Sequence, residues 1–131
     1  MKSILLIGLG RFGKHVAMKL HSLGHQILAV DDDEERVNEI LPYVTNAIIG
    51  DSTSETFLSS LGVSNFDVCI VAIGSNLAAS VLVGMNLQEL EVPHIICKAH
   101  DETHRQVLLK LGADQVVIPE KENAERLARN L

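Results

Sequence analysis

A glycine-rich turn near the N-terminus constrains the fold of this chain more than any other feature. Residues 4–13 read ILLIGLGRFG, so an apolar run of strand length passes directly into Gly8, Gly10 and Gly13. Residues 14–23 carry apolar side chains at helical spacing, which predicts a buried parallel strand, a tight turn and a helix. Gly8 allows the turn, Gly10 lets a phosphate approach the backbone, and Gly13 lets the helix lie close to the strand. The stretch predicts a nucleotide-phosphate site, with a merely structural turn as the alternative.

Arg11 adds a cation to the first turn of the predicted helix. The positive end of the helix dipole disfavours a cation there by about 0.3–1 kcal/mol, and a bound anion would reverse that sign. Two interpretations remain open. The guanidinium either points into water, where the cost is small, or contacts the terminal phosphate of a nucleotide.

Asp31 is a second feature of the sequence that predicts a nucleotide site. It follows a second predicted strand, residues 26–30 (QILAV), and lies about 20 residues beyond the glycines, where an acid accepts hydrogen bonds from ribose hydroxyls. A carboxylate there also repels a 2′-phosphate, which disfavours NADP. Alternatively, the acids at 31–35 (DDDEE) cap the next helix and complement its dipole. We assign capping to residues 33–35 and ribose contact to Asp31.

Strand and helix patterns alternate along the rest of the chain with short connections. The further predicted strands are residues 46–49, 67–72, 94–98 and 115–118, and the predicted helices are 36–41, 53–61, 76–91 (opened by Gly74-Ser75), 103–111 and 119–131. The alternation of strands and helices predicts an α/β fold. Because crossovers between parallel strands are right-handed, we expect a Rossmann-like doubly wound sheet of six parallel strands in the order 3-2-1-4-5-6. Ligands of such sheets bind at the carboxyl ends of the strands, at the switch point between strands one and four.

Size and charge exclude several classes of protein. The 131 residues suffice for one domain and are too few for a nucleotide domain plus a separate substrate domain. No apolar run approaches the roughly 18–20 residues that span a bilayer, and Met1-Lys2 leads directly into the first strand, so we expect neither membrane insertion nor a signal peptide. A net charge of −6 and 3% aromatic residues argue against nucleic acid as a partner. Cys69 and Cys97 lie in predicted apolar strands, so we expect both to be reduced thiols in the core of a cytoplasmic protein.

Known catalytic motifs are absent from the sequence. No GxSxG elbow occurs, and no residue can be assigned the proton transfer that a dehydrogenase performs beside its nicotinamide. His100 and His104 stand four apart in HDETH, but the glutamate is not where HExxH requires it. We therefore expect two solvated histidines rather than a metal site, and no enzyme activity.

The last predicted helix carries an apolar stripe. Ala124, Leu127, Ala128 and Leu131 recur at i, i+3, i+4 and i+7. Because the helix arrives after the sheet is complete, the stripe docks either on its own domain or on a neighbouring copy.

Several short motifs stand together in order along the chain. They are residues 8–13 (GLGRFG), 29–31 (AVD), 50–53 (GDST), 71–74 (VAIG), and 112–114 (GAD) followed by 119–120 (PE). The set closely resembles the N-terminal lobe of the RCK family, also called KTN or TrkA-N domains, and in particular the regulatory subunits of bacterial Ktr-type potassium uptake systems. The likeness covers essentially the whole chain. Such a subunit normally carries a further C-terminal lobe, and nothing follows Leu131 in this sequence.

The resemblance implies a nucleotide site along these motifs. It implies that Arg11 reaches the terminal phosphate of ATP and that Asp31 is the ribose acid, while Asp33 stands where some relatives have asparagine near the ribose or adenine. Lys98 resembles a lysine near the phosphates, or is a solvated charge. Glu120 resembles a glutamate that approaches a divalent cation between subunits, or belongs to a common Pro-Glu helix start. The implied cofactor-binding residues are Gly8, Gly10, Arg11, Phe12, Gly13, Asp31, Asp33, Asp51, Ser52, Ala72, Ile73, Gly74 and Lys98, with residues 51, 52 and 72–74 on the adenosine side.

The resemblance also implies a function. Residues 1–131 would form a single nucleotide-binding N-lobe that binds ATP or ADP, or alternatively NAD(H), in a non-enzymatic regulatory subunit. Dimers would assemble into a ring at the cytoplasmic face of a membrane potassium-translocating subunit, with the last helix contacting a partner copy. The nucleotide would change the shape of the ring and so gate transport. The alternative is the nucleotide domain of an NAD-dependent oxidoreductase.

Overall fold

The computed structural model describes residues 1–74 and 76–131. Ser75, which the sequence places at the opening of the longest helix, lies outside the described residues. The strands are β1 (Ser3–Ile7), β2 (Gln26–Asp31), β3 (Asn46–Ile49), β4 (Val68–Val71), β5 (Ile95–Lys98) and β6 (Gln115–Val117). The α-helices are α1 (Arg11–Ser22), α2 (Glu34–Ile40), α3 (Glu55–Ser60), α4 (Leu77–Glu89), α5 (Glu102–Lys110) and α6 (Pro119–Arg129), and 3₁₀ turns occur at Leu41–Tyr43 and Val63–Asn65.

The six strands form one parallel sheet in the order β3-β2-β1-β4-β5-β6. The predicted strand order is thereby confirmed. β1 lies at the centre, where Leu5 pairs with Leu28 of β2 on one side and with Cys69 of β4 on the other. The chain leaves β1 towards β2 and β3, then returns to the opposite side of β1 for β4. That reversal leaves a crevice at the carboxyl ends of β1 and β4.

Strand β1 is the centre of the hydrophobic core. Each of its residues from Ile4 to Ile7 is 3% exposed or less. Successive side chains of a strand point to opposite faces of the sheet, so Ile4 and Leu6 pack with Val37 and Ile40 of α2. Leu5 and Ile7 pack on the other face, with Leu58, Leu87 and Leu108 of α3, α4 and α5. A continuous apolar strand therefore requires helices on both faces.

Helix α1 begins three residues earlier than its apolar periodicity predicts. Gly10 is its N-cap, with φ −68° and ψ −170°, and the Lys14 N–H donates to the Gly10 carbonyl oxygen at 2.9 Å. Arg11 and Phe12 therefore lie in the first helical turn, directly after the glycine turn. Strand β2 also extends one residue beyond its predicted end, because Asp31 pairs with Ile49 of β3.

Helix α6 lies outside both clusters of buried side chains. None of its described residues is buried, and Leu127 is 65% exposed. Lys121 Nζ donates to Glu102 Oε1 at 2.7 Å, and this hydrogen bond lowers the pKa of Glu102 and raises the pKa of Lys121. The apolar stripe on α6 is thus not packed against its own sheet.

Helix α4 is apolar around most of its circumference. Among its 13 residues only Glu89 is charged. One side, with Val83 and Leu87, is buried, whereas Leu77, Leu82 and Met85 on the outer side are 55%, 42% and 41% exposed. No helix in the described ranges is both long enough and apolar enough to cross a bilayer.

Candidate functional site

A cleft of about 590 Å³ opens at the carboxyl ends of the strands, beside the switch point between β1 and β4. It lies where ligands of doubly wound sheets bind. Most of the site residues predicted from the sequence line it, whereas Gly13 and Asp33 do not. The predicted residues in the cleft are Gly8, Gly10, Arg11, Phe12, Asp31, Asp51, Ser52, Ala72, Ile73, Gly74, Lys98 and Glu120.

The three glycines of the β1–α1 turn have different physical roles. Gly8 has a φ of +103°, which side chains disfavour, and its N–H donates to the Val30 carbonyl oxygen at 2.8 Å. A Cβ built on Gly10 meets no atom of the described residues within 4 Å, so the space above it is open to the cleft. A Cβ on Gly13 would overlap the carbonyl oxygen of Gly8. Gly13 therefore allows close packing of α1 on β1, and Gly10 leaves room for a ligand.

Asp31 fixes the glycine turn to the end of β2. Its carboxylate is buried, with Oδ2 accepting from the Leu9 N–H at 2.7 Å and Oδ1 from the Asp33 N–H at 2.9 Å. Each carboxylate oxygen has further lone pairs for a ribose hydroxyl. Asp31 thus has a structural role in the cleft besides the one predicted from the sequence.

Asp32 brings a second carboxyl group to the same end of the cleft. Asp32 was not among the predicted site residues. A hydrogen bond to the Asp31 side chain, burial and the negative charge of Asp31 raise the pKa of Asp32, and the charge of Asp51 adds to the rise. These three acids make this end of the cleft unfavourable for a phosphate.

The β3–α3 loop forms the opposite wall of this acidic end. Asp51 Oδ1 accepts from the Thr53 hydroxyl at 2.6 Å and from the Thr53 N–H at 3.0 Å, and these bonds lower the pKa of Asp51. Ser52 is 7% exposed. Asn86 of α4 donates to the Thr53 carbonyl oxygen at 3.0 Å, so α4 anchors the loop. Neither residue was among the predicted site residues: Asn86 belongs to no motif, and Thr53 counted only as the end of the GDST motif.

Lys98 and Glu120 reach the cleft from its far side. Lys98 ends β5, and its Nζ lies 5.7 Å from the centre of the Phe12 ring. Glu120 lies in the first turn of α6 and is exposed. In residues 1–74 and 76–131 no group of three histidine, cysteine or acidic side chains could hold a metal ion. A cation at Glu120 would therefore need ligands from elsewhere.

Asp33 turns away from the cleft because it is the N-cap of α2. Its Oδ1 accepts from the Glu35 N–H at 2.9 Å, which is the capping role that the residues themselves predict. Arg36, one turn further, lines the cleft instead, with its guanidinium 3.8 Å from the Asp31 carboxylate. Arg36 was missed because helical periodicity alone does not show which way a half-exposed side chain points.

The expectation of two solvated histidines is wrong for His104. His100 is exposed, but His104 is only 4% exposed. Its Nδ1 accepts from the His100 N–H at 3.0 Å, so Nε2 carries the proton of the neutral ring and donates to Ser80 Oγ at 3.1 Å. His104 therefore joins α5 to the buried side of α4 and lies outside the cleft.

We expect the stability of the protein to fall in mild acid because of His104. Burial and the neighbouring His100 lower the pKa of His104, against the opposing charge of Asp101. The unfolded chain therefore takes up a proton at a higher pH than the folded one, and the stability contributed by neutral His104 is lost as the pH falls below about 6.5. Urea unfolding at about pH 7.5 and 5.5 should show a larger loss of stability in wild type than in His104→Gln. His15→Gln is the control, because it makes the same substitution at an exposed histidine. Equal losses in wild type and His104→Gln would contradict the assignment.

Comparison with known proteins identifies the family. The TrkA-N domain matches residues 4–119. Ktr system potassium uptake protein A of Bacillus subtilis (strain 168) is 46% identical over 130 residues, which cover 99% of this chain and 59% of that protein. The protein of the same name from Vibrio alginolyticus is 38% identical with the same coverage. The chain thus spans 59% of the length of these relatives.

Solved structures share the fold at low sequence identity. The TrkA-N domain of the inner membrane protein ybaL from Escherichia coli has a TM-score of 0.87 and 23% identity, covering 99% of this chain and 96% of that one. The GsuK channel bound to NAD has a TM-score of 0.78 and 21% identity over 88% of this chain and 21% of that one. The Kef C-terminal domain of Shewanella denitrificans in its AMP-bound form has a TM-score of 0.81 and 20% identity, covering 95% and 76%. The match over residues 4–119 shows that this chain belongs to the TrkA-N domain family, and the glycine turn and the strand order agree with it.

Proposed function

We propose that residues 1–131 form a nucleotide-binding lobe that regulates a membrane potassium transporter. The observation that carries this proposal is the cleft, in which the open backbone at Gly10, the cation of Arg11 and the buried acid Asp31 line one cavity. Helix N-termini with an open glycine turn bind phosphate, and an acid at the end of the second strand binds ribose. Similarity to two potassium uptake proteins supports the role in potassium transport.

The ligand we propose is an adenine nucleotide, either ATP or ADP, or alternatively NAD(H). Bound NAD in the GsuK channel and bound AMP in the Kef domain support an adenosine site in this fold. Asp31, Asp32 and Asp51 all line the ribose end, where their charges would repel a 2′-phosphate. Arg11 at the other end would contact a terminal phosphate, so the number of phosphates would decide affinity.

We further propose that copies of this chain assemble into dimers and then into a ring. Two unpartnered apolar surfaces support this assembly: the stripe around Leu127 on α6, and the outer side of α4 with Leu77, Leu82 and Met85. A divalent cation at Glu120 would sit between two such copies, because a second chain would supply the missing ligands. The ring would dock on the cytoplasmic face of a potassium-translocating membrane subunit.

Nucleotide occupancy would gate transport by favouring one ring shape. A ligand shifts such an equilibrium only by its difference in affinity for the two shapes. A 100-fold preference supplies about 2.7 kcal/mol per site, so several coupled sites in a ring make the switch decisive. This role needs no catalytic residue, in keeping with a non-enzymatic lobe.

Calorimetric titration of the nucleotide-free protein with ATP, ADP, NADH and NADPH tests the proposal. We expect ATP to bind about tenfold more tightly than ADP, because one charged hydrogen bond to the γ-phosphate contributes about 1.5 kcal/mol or more. Arg11→Ala should remove that difference. Lys14→Ala, in the same helical turn but outside the cleft, should keep it.

Other outcomes of the titration would point to other functions. A preference for NADH that Arg11→Ala leaves unchanged would contradict the γ-phosphate contact and favour a dinucleotide sensor. Steady consumption of NADH across a panel of substrates would establish the alternative, an NAD-dependent oxidoreductase. Binding of none of the four nucleotides would overturn the proposed site.

A further inference from the structure

The side chain of Lys98 lies flat across the backbone of Gly74. A Cβ built on Gly74 would lie 2.5 Å from Lys98 Nζ, 3.3 Å from Cε and 3.7 Å from Cδ. The end of the lysine thus occupies the space that any larger residue at position 74 would fill. Gly74 follows β4 and Lys98 ends the neighbouring strand β5, so this crossing joins two adjacent strand ends.

The Phe12 ring bounds the same ammonium group on another side. Lys98 Nζ lies 5.7 Å from the centre of the ring, within the range of a cation–π contact. Phe12 is in the first turn of α1 and packs against the core cluster of Leu9 and Ala72, so the ring is held in place. The ring therefore restricts the positions open to the end of this long side chain.

The Lys98 ammonium group lies in the cleft without a carboxylate partner among the described residues. Among the described residues no acidic side chain lies within 4.0 Å of Lys98 Nζ, although Arg36, Arg105 and Lys121 each form an ion pair. Gly8, Arg11 and Gly74 line the same cleft. A cation held beside a helix N-terminus is suited to a phosphate group.

We propose that Gly74 and Phe12 are positioning residues that hold the Lys98 ammonium group ready for a nucleotide phosphate. This inference rests on the proposed function of the cleft and assigns Gly74 a role other than contact with the nucleotide. A free lysine loses rotamer freedom when it binds a phosphate. Here that freedom is already restricted in the nucleotide-free protein, which improves affinity.

Gly74→Ala tests the proposal because it should move the end of the Lys98 side chain and leave the fold unchanged. Gly74 does not need a positive φ, and the new methyl group meets only the far end of a flexible side chain. The alanine should displace Lys98 Nζ from the Phe12 ring and leave the urea unfolding midpoint unchanged.

Calorimetric titration with ATP should compare wild type, Gly74→Ala, Lys98→Met and the double variant. We expect Lys98→Met to weaken ATP binding about tenfold and Gly74→Ala about fivefold, with the double variant no weaker than Lys98→Met alone. If Gly74→Ala weakens binding equally in the Lys98→Met background, Gly74 acts on the nucleotide itself and the proposal is overturned.

NMR of the nucleotide-free protein tests the positioning independently of any ligand. The ring current of Phe12 should shift the Lys98 ε-methylene protons upfield of those of the other lysines, and both Phe12→Leu and Gly74→Ala should remove that shift. Absence of the shift in wild type would overturn the positioning whatever the titration shows. A wild-type protein that has the shift but binds no ATP would uphold the positioning and refute the proposed function.

Discussion

Gly10→Ala is expected to weaken ATP binding at least 100-fold while the protein stays folded. The backbone at Gly10 has a φ of −68°, which alanine adopts readily, and a Cβ there meets no atom within 4 Å in the part of the chain that the structure describes. In the complex that methyl group would occupy the space through which a phosphate approaches the first turn of α1. The loss of about 2.7 kcal/mol or more should appear in calorimetric titration.

The folding of this variant is checked separately from its binding. Loss of the glycine N-cap should change the free energy of unfolding by less than about 1 kcal/mol. Gly84→Ala is the matched control, because among the described residues its methyl group meets only Leu108 Cδ2, at 3.8 Å, and Gly84 lies outside the cleft. Wild-type affinity is expected in Gly84→Ala. Wild-type affinity in Gly10→Ala would show that no phosphate binds over this residue.

Gly13→Ala is expected to lower the free energy of unfolding by about 3 kcal/mol, whereas Gly10→Ala leaves the protein folded. Its Cβ would overlap the Gly8 carbonyl oxygen and lie 2.9 Å from the Gly8 carbonyl carbon. These are backbone atoms of the turn, so they cannot rotate away as a side chain would. Helix α1 must instead move off β1, which opens the packing around Ala17 and Leu6.

Urea unfolding of Gly13→Ala and Gly84→Ala measures this effect. Both variants add one methyl group within a helix and gain helix propensity, but the alanine at position 84 overlaps no described backbone atom and should not destabilise the protein. A loss below about 1 kcal/mol in Gly13→Ala would mean that α1 can shift without cost, contrary to the close packing seen here.

The fold could be predicted because its determinants are local. The apolar run of β1, the helical spacing after it and the glycine and proline stops each occur within a few neighbouring residues. Right-handed crossovers then allow few arrangements of six parallel strands, and the predicted order is the one in the structure. Errors at the element ends were small, as at Gly10, which caps α1, and at Asp31, which extends β2 by pairing with β3.

The candidate site could be predicted only as far as the strand ends define it. Asp31 and Lys98 were expected in the cleft because the carboxyl ends of parallel strands meet at one edge. Asp33 and Arg36 lie on α2, where a cap and a helical turn decide which side chain faces the cleft, and the structure turns Arg36 towards it. His104 was misjudged because its burial depends on Ser80, 24 residues away on α4.

The sequence by itself determined the strand–turn–helix at the N-terminus, the order of the sheet and the edge at which a ligand would bind. Periodicity and glycine positions are properties of neighbouring residues, and the right-handed rule for crossovers turns the resulting order of elements into a strand order. Only the tertiary structure decided which polar groups are already engaged and which are open to the cleft. Lys98 crosses Gly74 and Asp31 binds Leu9 because folding brings distant backbone segments within hydrogen-bond and contact distance. No local pattern specifies those distances, since they depend on how closely the helices pack on the sheet.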